Sequence, residues 1–536
     1  MRNKKTMLLS LLVFVLVGCG ESTSEKEVSK SENSDSVVVA LQQGSEPAEG
    51  LNPIYGWGTG TNPLIQSTLV EFDSKFNIVN DLATSYENID DGYTWNFTIR
   101  DDATFTDGKP VTVDDVKFTF DQAMQSDSLV DLTNVKDVSI ESNKKVMIKL
   151  KKPQRTFLNA VATLGIVPEH AYDEHYGEKP IGSGPYKFVE WKKGEQIILE
   201  RNEDYYRDLP DIKQAVFVFM DEDSAYTAAK AGKVDVAVVT PFNVSKEVTG
   251  MKLKVLKTQD NRGITMPLSP ANSGETEDGY PIGNDVTSEL SIRKALAYGI
   301  DRKEMAENTV EGYASPAFSE NDGTAWNNKE GIIQTDKPKA KKILKDDGWI
   351  EGKDGILEKD GKKAEFDMYY VAGDSIREAI SNDVVTQAKE LGIKVNIIGS
   401  NWDDITPKMF SNAVMMGWGS SNPYTSYSLF HSDNKLKTDF YNVEGYDNPV
   451  VDQYLEAALA APTQDEMYEN FKKAQWDGKT GTSMLGEVPW IWLLNIDHLY
   501  YVNEKLDIGE QPSHIHGASY PVIQNLKEWK WTDSSD

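Results

Sequence analysis

A single cysteine, Cys19, stands among 536 residues. Its position constrains the chain more than any other feature. A disulfide needs two cysteines, so hydrophobic cores and hydrogen bonds alone must hold the folded body. A cysteine metal site or cysteine nucleophile in the body is excluded for the same reason. At 59.9 kDa the chain is long enough for two or three domains with sizeable cores. Its 39% hydrophobic and 26% charged residues suit a soluble globular protein. The formal net charge of −29 makes nucleic acid a poor partner at long range.

The lone cysteine ends a targeting pattern. Arg2, Lys4 and Lys5 form a basic start, and Met7 to Val17 is an apolar run too short to span a bilayer comfortably. The run closes in Leu16-Val17-Gly18-Cys19, which resembles the bacterial lipobox. In that pattern residues 1–18 are a signal peptide and Cys19 becomes the lipidated first residue, because a thiol is needed to take the lipid. Gly20 to Ser36 is rich in Ser, Glu and Lys, so residues 19–36 are expected to be a disordered tether. The protein is then anchored by lipid to the outer face of the membrane.

Beyond the tether, strand and helix patterns alternate. Ser36 to Gln42 is a short β run, and Pro63 to Leu69 is expected to begin a helix. Tyr93 to Arg100 has strand period, with Trp95, Phe97 and Ile99 on one face. Thr112 to Met124 begins with a cap candidate and acidic first-turn residues, the signature of a helix start. Phe157 to Val167 is expected to be mostly helical or buried. Ser291 to Ala317 divides the chain: a helix runs into Ile300-Asp301-Arg302, and a second α/β region follows. In that region Lys337 to Asp347, Ser375 to Leu391, Pro449 to Ala460 and Gln464 to Trp476 are expected helices. Val488 to Leu494 is apolar enough to carry the chain back towards the first lobe.

The order of these pieces resembles the large extracellular solute-binding proteins of ABC transporters, the oligopeptide, dipeptide and nickel group, here of the Gram-positive lipoprotein type. The resemblance rests on Leu51-Asn52-Pro53, Asp81-Leu82-Ala83, Tyr93 to Arg100 followed by Phe105-Thr106-Asp107-Gly108, and Thr112 to Phe120. It continues through Gly182-Ser183-Gly184-Pro185-Tyr186, Arg201-Asn202 with Tyr205-Tyr206, and Arg293-Lys294-Ala295-Leu296 to Ile300-Asp301-Arg302. It implies an α/β clamshell of two lobes, like the periplasmic binding proteins, with a subdomain inserted in the first lobe. The expected divisions are 37–74 for the first part of lobe I, 75–185 for the insert and 186–289 for the second part of lobe I. Lobe II takes 290–490, and 491–536 is the return to lobe I. A ligand is trapped between the lobes and handed to the transmembrane permease subunits. The expected ligand is a short peptide; the alternative is nickel or another transition metal carried as a small-molecule chelate. The protein is expected to be a monomer without a cofactor.

A closing cleft replaces the ligand's water with fixed polar partners and apolar walls. The first Gly/Tyr/Trp loop, Tyr55 to Gly58, faces the cleft in the family; Trp57 is read either as a contact or as packing within the lobe. Arg262 is suited to hold a carboxylate or a metal chelate bidentately, with a salt bridge to one of the many acids as the other reading. The loop Gly417 to Tyr427 offers Trp418 and Tyr424 as walls, with Ser421 and Asn422 beside them. Peptide binders of the family commonly carry an aspartate in this loop; here Ser420, Ser421 and Asn422 stand instead, with Asp403 upstream as a possible substitute. His514 and His516 are candidate metal ligands, against the plainer reading of a surface pair in a loop. No nucleophile motif, P-loop or dense His/carboxylate cluster supports enzyme chemistry. Replacing Cys19 by Ser is expected to abolish lipid attachment and leave the folded body intact. Mass spectrometry finding a covalent diacylglycerol on that variant contradicts the assignment.

Overall fold

The computed structural model describes residues 35–532 apart from 59–62, 127, 129, 245–246, 438–439 and 518. Cys19, the signal peptide and nearly all of the expected tether lie outside the described residues. Among the described residues no helix is long and apolar enough to cross a membrane.

The first lobe is built on a seven-stranded mixed sheet whose strands come from distant parts of the chain. Its order is Met251–Leu256, His498–Asn503, Val236–Val239, Ser36–Gln42, Gln214–Met220, Gln196–Arg201, Tyr186–Lys192. Ser36–Gln42 lies at the centre, parallel to both neighbours. Such a strand is covered on both faces and needs a continuous apolar run, and Val37 to Leu41 are all buried.

The insert carries a four-stranded antiparallel sheet in the order Ala83–Ile89, Thr94–Ile99, Lys145–Leu150, Val135–Ser142. Trp95, Phe97 and Ile99 are buried, as the period of two requires. Helix Val113–Gln125 follows. Its Asp115 Oδ2 accepts from Thr112 N (2.9 Å) and Thr112 Oγ1 (2.8 Å), closing the helix start.

One expected helix differs. Residues 63–69 form no helix. Their carbonyls are taken instead by another segment: Leu64 O accepts from Tyr186 N (3.0 Å), Ile65 O from Gly184 N (2.8 Å) and Ser67 O from Ile166 N (2.8 Å). That approach explains the Gly182-Ser183-Gly184 motif, because a Cβ on Gly182 would lie 2.0 Å from Ile65 O. The stretch 157–167, expected to be mostly helical or buried, is helical over Phe157–Val161. It then turns and continues as extended chain, buried except at half-buried Thr163.

The second lobe is built on a six-stranded sheet in the order Ala314–Pro316, Trp490–Ile496, Asn261–Thr265, Ala413–Trp418, Glu365–Val371, Lys394–Ser400. Two of these strands lie beyond the expected limits of lobe II: Asn261–Thr265 precedes residue 290, and most of Trp490–Ile496 follows residue 490. The chain therefore crosses between sheets at 257–260 and again at 497, where Trp490–Ile496 gives way to His498–Asn503.

Helix Leu290–Gly299 packs Ile292, Ala295 and Leu296 into the second core. Arg293 within it and Arg302 just beyond it are internal braces. Arg293 Nη1 donates to Thr287 O (2.8 Å) and Ser288 O (2.7 Å). Buried Arg302 donates through Nε to Trp492 O (2.7 Å) and through Nη1 to Ala297 O (2.8 Å). The helix is thus tied to the strand that returns to lobe I.

The same core holds a carboxyl without a partner. Glu444 is 2% exposed, and no hydrogen bond reaches either carboxyl oxygen among the described residues. Burial pushes its pKa up to about 8, with the Trp490 indole drawing it back only in part. The folded state then binds a proton that the unfolded chain has lost, so stability falls as pH rises from the ordinary Glu range through about 8. Glu444→Gln keeps the shape of the neutral carboxyl. Its stability advantage over the wild type should grow by about 1.4 kcal/mol per pH unit between pH 5 and 8. Parallel denaturation midpoints across that range would exclude a protonated Glu444.

Candidate functional site

The two lobes meet, and the contacts between them define the cleft. Ser375 Oγ, at the start of helix Ser375–Glu390 in lobe II, donates to Glu222 Oε2 (2.8 Å) on helix Glu222–Lys230 of lobe I. Tyr424 Oη, in helix Tyr424–Phe430 of lobe II, donates to Asp131 Oδ2 of the insert (2.9 Å). Arg155 of the insert donates from its backbone to Leu459 O (3.0 Å) and through Nε to Ala461 O (2.9 Å). The clamshell is closed.

The crossing strands run beneath this interface. Lys257 pairs with Asp497 (2.6 Å), Thr258 Oγ1 donates to Ile496 O (2.5 Å), and Ile496 N donates to Asp260 O (2.8 Å). Asp260, on the first crossing, is the polar centre of the region and is almost wholly buried. Its Oδ1 accepts from His516 Nδ1 (2.6 Å) and pairs with Arg262 Nη1. Its Oδ2 accepts from His498 Nε2 (2.9 Å), Gly517 N (3.3 Å) and Arg262 Nη2 (3.4 Å). Burial alone would raise the Asp260 pKa, but Arg262, His516 and the histidine hydrogen bonds hold it well below the carboxylate range.

Arg262 is buried on strand Asn261–Thr265, at the register shift between Arg262 and Gly263 against Trp490–Ile496. A bulge of this kind re-aims a side chain. The salt bridge read as the alternative for Arg262 is present, yet it uses only the terminal nitrogens. Nε is buried without a partner among the described residues. Arg262 and His516 lie over Gly417, where a Cβ would stand 2.8 Å from Arg262 Nη1 and 2.7 Å from His516 Cε1.

A second arginine joins the first. Arg377, in the first turn of helix Ser375–Glu390, pairs through Nη1 with the helix cap Asp374, and its Nε is also buried without a partner. Burial first, and repulsion from Arg262 second, lower its pKa. Two like charges thus face one region, each with an N–H unused. An oxyanion placed between them would satisfy both donors and relieve the repulsion. No motif marked Arg377, since one arginine in a helix first turn is indistinguishable from a surface residue.

The other candidates are placed as follows. Trp418 is half-buried, edge-on to Tyr441 (centroids 5.4 Å apart), and its backbone N donates to Asn261 Oδ1 (3.1 Å). Ser421 Oγ lies 3.4 Å from Gln259 Oε1. Asn422 spends Oδ1 on Tyr424 N (3.0 Å), a local turn that starts the next helix. Tyr424 stacks on Tyr427 and bonds Asp131 of the insert, so it is a contact between the lobes. Tyr55 is exposed after Pro53. Trp57 is 5% exposed and packs edge-on to Tyr520 (5.8 Å) in the first lobe's core, with its Nε1 unpartnered. Gly58 adopts φ +80° against Pro63. Asp403 is exposed in the first turn of helix Trp402–Ile405, beside the capping Asn401.

The surface pair read at His514 and His516 is corrected. His514 is fully buried, and its ring bonds His498, Tyr500 and Gln511, whereas His516 bonds Asp260. Their ring nitrogens are engaged with different partners rather than converging. Among the described residues no group of three or more His, Cys, Asp or Glu is arranged to hold a metal ion.

Comparisons with known proteins agree with this architecture. Residues 77–438 match the family model described as bacterial extracellular solute-binding proteins, family 5 Middle. The chain is 26% identical over 570 residues to the oligopeptide-binding protein AppA of Bacillus subtilis, covering 99% of each. It is 25% identical over 429 residues to the nickel-binding periplasmic protein of Escherichia coli, covering 75% of this chain and 79% of that one. Among solved structures, NikZ from Campylobacter jejuni in complex with Ni(L-His) superposes with a TM-score of 0.81 at 26% identity, covering 93% of this chain and all of the other.

Proposed function

The chain belongs to the family 5 bacterial extracellular solute-binding proteins, and from that premise we propose that it captures short peptides in the interlobe cleft for an ABC importer. The peptide carboxylate is held between Arg262 and Arg377. Closure of the lobes seals it from water, and the permease subunits receive it when they open. No covalent step is involved. The body hangs from the outer face of the membrane by the lipid on Cys19.

The observation that carries this reading is a pair of arginines, Arg262 buried and Arg377 half-buried, each with a buried Nε that has no partner among the described residues. Leaving a buried donor unsatisfied costs about 1–3 kcal/mol, which a carboxylate would recover twice in one place. The peptide assignment is further supported by the full-length similarity to an oligopeptide-binding protein. A second reading, a nickel chelate, draws on the loop 417–427. It presents Ser420, Ser421 and Asn422 and no acid for a peptide's amino end. A chelate brings its own metal donors and needs only partners for its carboxylates, which the same arginines provide.

The readings separate by calorimetry with trialanine, trialanine amide and nickel–histidine. The proposal expects trialanine to bind, its amide to bind about tenfold to a hundredfold more weakly, and Arg377→Met to erase that difference, in line with one charge-assisted contact. Binding of nickel–histidine alone, with only metal chelates co-purifying from the native host by native mass spectrometry, would overturn the peptide assignment. Equal affinity for trialanine and its amide would overturn the role of the arginines.

A further inference from the structure

Behind Asp260 lies a chain of hydrogen bonds whose proton count can be read from its far end. Trp529 Nε1 can only donate, and it donates to Asn525 Oδ1 (3.0 Å). That fixes the Asn525 amide, whose Nδ2 donates to Ile508 O (2.9 Å). Gln511 Nε2 must then be the group facing Asn525 Oδ1 (2.7 Å), and it also donates to Ile508 O (2.8 Å). The Gln511 oxygen is left to face His514 Nε2 (3.1 Å), so His514 Nε2 carries a proton. At the other end, Asp260 is an ionised carboxylate and accepts only. His498 Nε2, 2.9 Å from it, therefore carries a proton too.

The remaining contact is His498 Nδ1 to His514 Nδ1 at 3.0 Å. Two bare nitrogens at that distance would set lone pair against lone pair, inside a site where both rings are at most 2% exposed. A third proton between them turns the contact into a hydrogen bond. Tyr500 Oη, 3.1 Å from His514 Nδ1, does not alter the count, because a hydroxyl rotates to donate or accept.

We propose that His498 and His514 together hold three ring protons, one shared between their Nδ1 atoms, and that this single positive charge makes them positioning residues for Asp260 and, through it, for Arg262 and His516. The pair sits behind the carboxylate, opposite the ligand side. Its charged neighbours are Asp260 and Arg262 on the first crossing and its strand, His516 on the C-terminal segment, Asp497 with its partner Lys257 on the second crossing, and Asp374 with Arg377 beyond Arg262. Of the two rings only His498 touches Asp260, through Nε2 at 2.9 Å, so the positive charge belongs mainly on the His498 ring. Losing the shared proton would remove the brace behind Asp260 and loosen its hold on Arg262. The positioning role rests on the ligand reading given above, but the proton count does not.

Ring-nitrogen NMR of the full chain labelled with 15N-histidine, without ligand, tests both. At pH 8 one of the six histidines should have both nitrogens protonated, and the His498→Gln spectrum should lack that ring. Two neutral rings at 498 and 514 would overturn the count. His514→Gln supplies an oxygen for His498 Nδ1–H and should keep the Nδ1–H signal of His516; His514→Phe should lose it. If the phenylalanine variant does not fold, wild-type titration decides: the His498 Nδ1–H and His516 Nδ1–H signals should disappear together as pH rises. Independent loss, or an unchanged His516 signal in His514→Phe, would overturn the positioning role. A failed peptide titration leaves these readings untouched and is thereby distinguishable.

Discussion

The buried carboxylate of Asp260 is the interaction on which the closed structure depends. It lies where the chain first passes from one sheet to the other, and its donors come from both sides of that passage. Arg262 is on the second lobe's strand, His498 opens the return strand of the first, and His516 and Gly517 belong to the C-terminal segment. A buried charge is tolerated only when its partners are in place, and removing one costs several kcal/mol. The hinge is therefore fixed in a narrow geometry, and the same carboxylate sets the side chain best placed to meet a ligand.

Closure itself is held lightly by the protein. Apart from the crossing strands, the hydrogen bonds between the lobes among the described residues include Ser375 to Glu222, Tyr424 to Asp131, Arg155 to the 459–462 turn and His516 N to Gly419 O (3.1 Å). Contacts of this kind contribute about 0.5–1.5 kcal/mol each. That is small enough for opening and closing to be biased by whatever sits in the cleft, since a ligand shifts such an equilibrium by its differential affinity for the closed form. In the proposed reading Arg262 and Arg377 supply that differential, since each keeps a buried Nε donor without a partner among the described residues.

Much of the fold was legible in the sequence because its signals are local. The period of Trp95, Phe97 and Ile99, the Thr112–Asp115 helix start and the apolar run of Ser36–Gln42 each follow from nearest neighbours along the chain. The helix expected at 63–69 failed because its carbonyls are taken by residues 99 to 122 positions away, which no local pattern records. The site was legible only in part. Arg262 was marked by its residue type and loop context, but among so many acids the sequence did not single out Asp260, two residues away, as its partner. Arg377 and His498 were not, since what distinguishes them is burial beside groups from remote strands. The His514 and His516 spacing suggested a shared face, yet their chain segment runs alongside the crossing strands and sends the two rings to different partners. Trp57, read as either a contact or packing, lies in the core of the first lobe.

The central claim is that the cleft closes on a carboxylate held by two arginines. A crystal structure of the protein with trialanine tests it most directly. The account predicts the peptide's carboxylate within hydrogen-bonding distance of both Arg262 Nε and Arg377 Nε, with the Asp260 contacts retained. A peptide bound elsewhere in the cleft, with both Nε atoms still unpartnered, would contradict it.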